Sequence, residues 1–169
     1  MADEIAWGKK VGPAFKAKVV AMSKTLGCDP SHLTSAMAFE TGERFTANVQ
    51  NPSTRATGLI QFMPATAKAL GTTIEALAAM TAVDQLDWVA KYLGPYKNRM
   101  KTLSDVYMTI LWPAAVGKPE AYALFKKPSK AYDQNAGLDA NKDGVITKAE
   151  AAAKVNAKLV KGMTVGLKG

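Results

Sequence analysis

Phe39-Glu40-Thr41-Gly42 and, further on, Gly58-Leu59-Ile60-Gln61-Phe62-Met63-Pro64-Ala65-Thr66-Ala67 are the two segments on which the fold turns. In the first, apolar Met37, Ala38 and Phe39 lead to a carboxylate, and Gly42 stops the helix. In the second, a run of small and apolar residues opens into a helix that Pro64 can begin and Gly71 can end. Upstream, Val11, Phe15, Val19, Met22 and Leu26 recur at three- and four-residue steps, which predicts a helix over 8–26 closed by Gly27. Asp29-Pro30 reads as N-cap and first residue of the helix carrying Glu40, with Leu33, Ala36 and Met37 apolar and His32 in its first turn. Downstream, Thr72 and Glu75, Thr81 and Asp84, and Thr102 and Asp105 each place a hydroxyl three residues before an acid, a helix-start signature. Those helices are expected to end near Met80, at Gly94-Pro95 and at Trp112-Pro113, and Pro119 to open a short helix to about Phe125. The polar stretch 43–57, with Asn51-Pro52-Ser53-Thr54, is a loop with room for a short hairpin. The predicted fold is all-α or mainly α, with at most a short β-hairpin.

A chain of 169 residues is long enough to build an apolar core without disulfides, and one cysteine, Cys28, excludes an internal one. Cys28 reads as a small apolar residue at a helix boundary. A single histidine, His32, excludes a Ser/His or Cys/His triad unless it is the base, and no Ser or Cys motif accompanies it. The net charge of +8 favours anionic partners. The lysines are scattered rather than interleaved with aromatic residues, so a general surface attraction is expected and nucleic acid is not. No internal repeat, secretory segment or apolar run long enough for a membrane helix is visible.

The two opening segments together resemble the lytic transglycosylase / goose-type lysozyme superfamily. The likeness covers residues 31–70 well and the rest of 1–127 loosely. It implies a lysozyme-like helical domain that cleaves the β-1,4 bond between N-acetylmuramic acid and N-acetylglucosamine in peptidoglycan. Glu40 matches the family's catalytic Glu and Thr41 the small hydroxyl residue after it, placed to contact substrate. Gly58, Gln61, Phe62 and Met63 fall in the Gly-Leu-x-Gln-x-Met-Pro segment that lines the sugar groove. Gly58 would let the backbone approach a ligand, Gln61 would hydrogen-bond sugar substituents, and Met63 would form an apolar wall. Core packing is an equal reading for Phe62 and Met63. Goose-type hydrolases carry an Asp shortly after this segment, and the chain has no acid between Glu43 and Glu75. The resemblance therefore implies a transglycosylase, with Glu40 as acid and then base and a 1,6-anhydro product; the alternatives are a hydrolytic muramidase and a non-catalytic wall-binding or virion protein. The family's Ala-Tyr-Asn-x-Gly is replaced by Leu111-Trp112-Pro113-Ala114-Ala115-Val116-Gly117. Trp112 stands at or near the Tyr position, as a sugar-stacking wall or a core residue, and Tyr107 could bring a hydroxyl only from another angle.

Glycoside cleavage needs a proton donor at near-neutral pH, so the acid's pKa must be raised. Glu40 has two local causes: apolar neighbours that disfavour its charge, and a place in the last helical turn, where the macrodipole disfavours an anion. The competing reading is a solvated helix end.

Asp139-Ala-Asn141-Lys-Asp143-Gly144-Val145-Ile146-Thr147-Lys-Ala-Glu150 fits the EF-hand loop at every ligand position. Side-chain oxygens fall at Asp139, Asn141, Asp143, Thr147 and Glu150, a backbone carbonyl at Val145, and glycine at the turn. Calcium is expected as a structural ion, with no cofactor for catalysis; the alternative is a degenerate loop kept for its turn geometry. The incoming helix is poor, since Asn135-Ala136-Gly137 precedes the loop, whereas the exit helix runs from Thr147 to about Leu159. Lys126-Lys127-Pro128-Ser129 divides a catalytic segment, 1–127, from the loop and terminal helix, 128–169, packed on the same domain. The expected protein is a monomeric muralytic enzyme acting on glycan strands without membrane insertion. Lacking an export signal, it is released to the wall from the host cytoplasm or carried on a phage particle.

Overall fold

The computed structural model describes residues 4–169, and over them the chain is mainly α-helical with one short two-stranded antiparallel sheet. Helix α1 (Pro13–Leu26) starts at its proline, later than periodicity alone indicates. The residues before it turn back on the C-terminal tail, with Trp7 N donating to Gly162 O and Lys9 N to Leu167 O. Helix α2 (Pro30–Thr41) is capped by Asp29, which accepts from Ser31 N at 2.8 Å, and closed by Gly42 at φ 60°. Then follow α3 (Pro64–Leu70), α4 (Ile74–Ala79) and α5 (Ala82–Leu93). The cap of α4 is Thr73 and not Thr72; its hydroxyl accepts from Ala76 N, leaving Glu75 free to pair with Arg55. Helix α6 (Leu103–Leu111) begins with a complete Thr102/Asp105 capping box.

The helix expected from Pro119 to Phe125 does not form. Pro119 closes a turn onto Tyr122 N, and Ala123–Lys126 becomes strand β1, antiparallel to β2 (Val145–Thr147) inside the loop that fits a calcium site. Phe125 pairs with Ile146 and both are buried, so the strand wins because it covers two large apolar side chains that a surface helix would leave apart. The loop 43–57 holds no named strand; Thr57 makes isolated bridges to Gln50 and Phe62. A short α7 (Lys130–Asn135) precedes the loop, and α8 (Lys148–Gly162) leaves it under a Thr147/Glu150 capping box.

Helix α2 is the centre of the molecule, packed by α1, α6 and α8. Leu33, Thr34, Ser35, Ala36, Met37, Ala38 and Thr41 are all buried, so the helix has no solvent-facing stripe until its last turn. The segment after residue 128 lies on the helices before it, through β1 with β2 and through α8 against α2 and α6. No helix among the described residues is long and apolar enough to cross a membrane.

Candidate active site

Two adjacent acids at the end of α2 are pushed in opposite directions. Burial raises the Glu40 carboxyl to about 7, and no cation or hydrogen bond among the described residues opposes it. Three residues on, just past the helix, Glu43 has φ 67°. Hydrogen bonds from Lys158 and Lys161 on α8 hold its carboxyl below the usual range. Glu43 is thus a pinned structural acid, and Glu40 alone in this turn keeps a proton near neutral pH.

Tyr107 of α6 lies over the same turn. Its ring meets Phe39 edge-on at 5.7 Å, and burial, with the nearby Glu40 charge, pushes its hydroxyl up. The segment Gly58–Met63 forms a tight turn, with Gln61 N donating to Gly58 O and Phe62 N to Thr57 O. A small cavity of about 50 Å³ is lined by Ile60, Gln61, Phe62, Met63, Thr66, Tyr92 and Ile110, joining that turn to α5 and α6. Met63 and Trp112 are the large apolar side chains left exposed in this part of the chain, at 45% and 40%. Both are free to meet a ligand, and Trp112 rests edge-on against Phe125 at 5.2 Å.

Several expected contacts fall elsewhere. Thr41 is 1% exposed; its hydroxyl donates to Met37 O at 2.7 Å and accepts from Phe45 N at 3.0 Å. It is buried and closes the end of α2. Phe62 is buried in the core, edge-on to Tyr92 at 6.2 Å. The amide nitrogen of Gln61, at φ 54°, is committed to Val49 O and Gly58 O, which leaves its carbonyl end as the one open to a ligand. Gly58 at φ 86° does need its missing side chain, but the group it approaches is protein: a Cβ there would lie 2.3 Å from Gln85 Oε1.

Gln85 is the site residue that the linear reading missed. It is fully buried on α5; its Oε1 accepts from Leu59 N at 2.8 Å, and its Nε2 donates to Ala47 O and Leu77 O. One side chain therefore holds the site turn, the preceding loop and α4 together. The available signal was a polar residue beside Leu86 and Val89 on the buried face of an amphipathic helix.

In the Asp139–Glu150 loop, Asp139 Oδ2 accepts from Gly144 N and from the Tyr132 hydroxyl, at 2.9 and 2.6 Å. That bond pushes Tyr132 up to about 12 and holds Asp139 below the usual carboxylate range. Asn141 accepts from Asp143 N and Asp143 from Val145 N, so these exposed side chains fold back onto the loop through local turns. Glu150 is spent on backbone at both ends of the loop, accepting from Ala140 N and from Thr147. No group of three or more His, Cys, Asp or Glu side chains gathers to hold a metal among the described residues. One atom is nevertheless unaccounted for: Asp139 Oδ1 is buried and has no partner. An orphaned carboxylate oxygen among further oxygen donors is the chemistry a hard cation fits.

The chain matches no family model and no curated protein.

Proposed function

We propose that the chain degrades peptidoglycan, cleaving the bond between N-acetylmuramic acid and N-acetylglucosamine with Glu40 as general acid and then base. The observation that carries this reading is the Glu40 carboxyl, held at about 7 by burial alone at the end of the central helix. A carboxyl there is half protonated at neutral pH, where one at its ordinary value would be about 0.3% protonated. Glu40 gives its proton to the leaving glucosamine oxygen while the muramoyl N-acetyl oxygen bonds to the anomeric carbon. The muramoyl 6-hydroxyl then displaces that oxygen and returns a proton to Glu40, leaving a 1,6-anhydro end. Substrate assistance of this kind needs no second carboxylate, and the neighbouring acid, Glu43, is tied to two lysines. Met63 and Trp112 supply apolar faces for sugar rings. The basic surface favours the anionic wall, and action during phage release or entry suits the reading.

Mass spectrometry of muropeptides released from purified sacculi tests the chemistry. The expected products end in anhydro-muramic acid, lighter by one water than the reducing form. Reducing ends alone would make the enzyme a hydrolytic muramidase, and no release would leave a non-catalytic wall-binding protein.

The same reading gives the Asp139–Glu150 loop a structural calcium ion, held by Asp139, Asn141, Asp143, the Val145 carbonyl, Thr147 and Glu150. Bound there, the ion neutralises clustered acids and takes no part in proton transfer. A cation at a hundredfold excess over its Kd stabilises a fold by about 2.7 kcal/mol. At 2–4 °C per kcal/mol for this size, calcium is expected to raise the melting temperature by about 5–10 °C. Asp143→Ala should remove that response, and it is a cleaner variant than Glu150→Ala because Glu150 also caps α8. A melting curve indifferent to calcium would reduce the loop to turn geometry.

A further inference from the structure

Lys148 is 1% exposed, and a buried ammonium is retained only where it is fully paired. Its Nζ donates to Asp105 Oδ1 and, at 2.8 Å, to Lys118 O. Asp105, itself 3% exposed, also accepts from Gly117 N at 2.8 Å and from the Lys101 and Thr102 amides. This one ion pair thus joins the tenth residue of the Asp139–Glu150 loop to both ends of the segment 105–118. That segment contains Tyr107 and Trp112. The backbone adds further ties, with Lys148 N donating to Tyr122 O and Ala149 N to Glu120 O. From the other side, β2 places buried Ile146 opposite Phe125, and Phe125 is the aromatic ring on which exposed Trp112 rests.

We propose that Lys148 is a positioning residue that holds Trp112 in place from the loop, so that the loop governs grip on the glycan while Glu40 governs bond cleavage. The part of this statement that concerns glycan rests on the function proposed above; the part that concerns Trp112 does not. Two routes lead from loop to indole, one ionic through Asp105 and Gly117, one apolar through Ile146 and Phe125. The first holds the two sides of the segment that carries Trp112, and the second holds the ring on which Trp112, 40% exposed, rests. Glu40 lies on a different helix, anchored through Glu43 to the far end of α8. Loosening the loop end should therefore move the wall and spare the acid.

The test is acrylamide quenching of Trp112 in the full chain, isolated by subtracting the matching Trp112→Phe protein so that Trp7 and Trp88 cancel. Lys148→Met removes the charge with an unbranched side chain one atom shorter and leaves Asp105 its three amide donors. Phe125→Leu cuts the second route without touching the ion pair. Each variant is expected to raise Trp112 quenching at least twofold, and to raise KM on soluble glycan fragments several-fold with kcat and its pH profile within twofold. Unchanged Trp112 quenching in folded Lys148→Met would overturn the proposal. If that protein does not fold, unchanged quenching in Phe125→Leu would do so. A fall in kcat with KM unchanged would overturn it as well, by placing the loop in proton transfer. If quenching rises in variants of a wild type that releases nothing from glycan, the link to Trp112 stands and the enzymatic reading falls.

Discussion

Glu40→Gln is expected to lose sacculus clearing by about 100- to 10,000-fold while the protein folds normally, the usual cost of removing a single general acid. The replacement keeps the shape and removes the proton. In the wild type, kcat/KM should fall as pH rises through about 7, because the form that acts is the protonated one. The same substitution has a second effect of opposite sign. The folded chain holds a proton on Glu40 that the unfolded chain releases near 4.5, so stability present below that pH is lost as pH rises through about 7. A shift of that size corresponds to on the order of 3 kcal/mol above pH 7. Gln never ionises, so at pH 8 Glu40→Gln should melt several degrees above wild type, and at pH 4 the two should coincide. An inactive variant that is not stabilised at pH 8 would mean that Glu40 is not held neutral by burial. An active one would remove it from the mechanism.

Gln85→Met is expected to be the most damaging single change in the region of the site. It leaves Leu59 N, Ala47 O and Leu77 O inside the protein without partners. An unpaired buried backbone group costs about 1–3 kcal/mol, so three of them, partly relaxed, should cost about 3–5 kcal/mol. Against a total stability of about 5–15 kcal/mol that is a large share. The melting temperature should fall by about 6–20 °C. Clearing measured well below the melting point should fall too, because the Gly58–Met63 turn hangs on this amide. A variant melting within two degrees of wild type would mean that water replaces the amide and the turn stands without it.

The parts of the fold legible in the chain are those fixed by local chemistry. Gly27, Gly42 and Gly71 end helices in the left-handed conformation, and Asp29-Pro30 and Thr102/Asp105 start them, because a cap is satisfied by residues within a few positions. Strand β1 was not legible, because its stability comes from Ile146, distant in sequence, and Pro119 is equally at home in a turn. At the site, the burial that raises the Glu40 carboxyl could be read from its apolar neighbours, whereas the helix end adds no cause of its own. The fate of Thr41 could not: whether a hydroxyl faces outward or closes a turn depends on where Phe45 N arrives. Gln85 and the Lys148–Asp105 pair were hidden for the same reason, since their partners lie 26 and 43 residues away.

The enclosure of α2 sets where this protein is able to change over evolutionary time. Glu40 sits in the last turn of a helix packed by α1, α6 and α8, with Ser35, Ala36 and Ala38 among its buried residues. Most substitutions along 33–41 would disturb packing, so the placement of Glu40 is inherited with the fold. Variation should fall instead on exposed positions such as Met63, Trp112 and parts of 43–57. On the proposed function, diversification among descendants of this sequence would retune which glycan is gripped while Glu40 stays where it is.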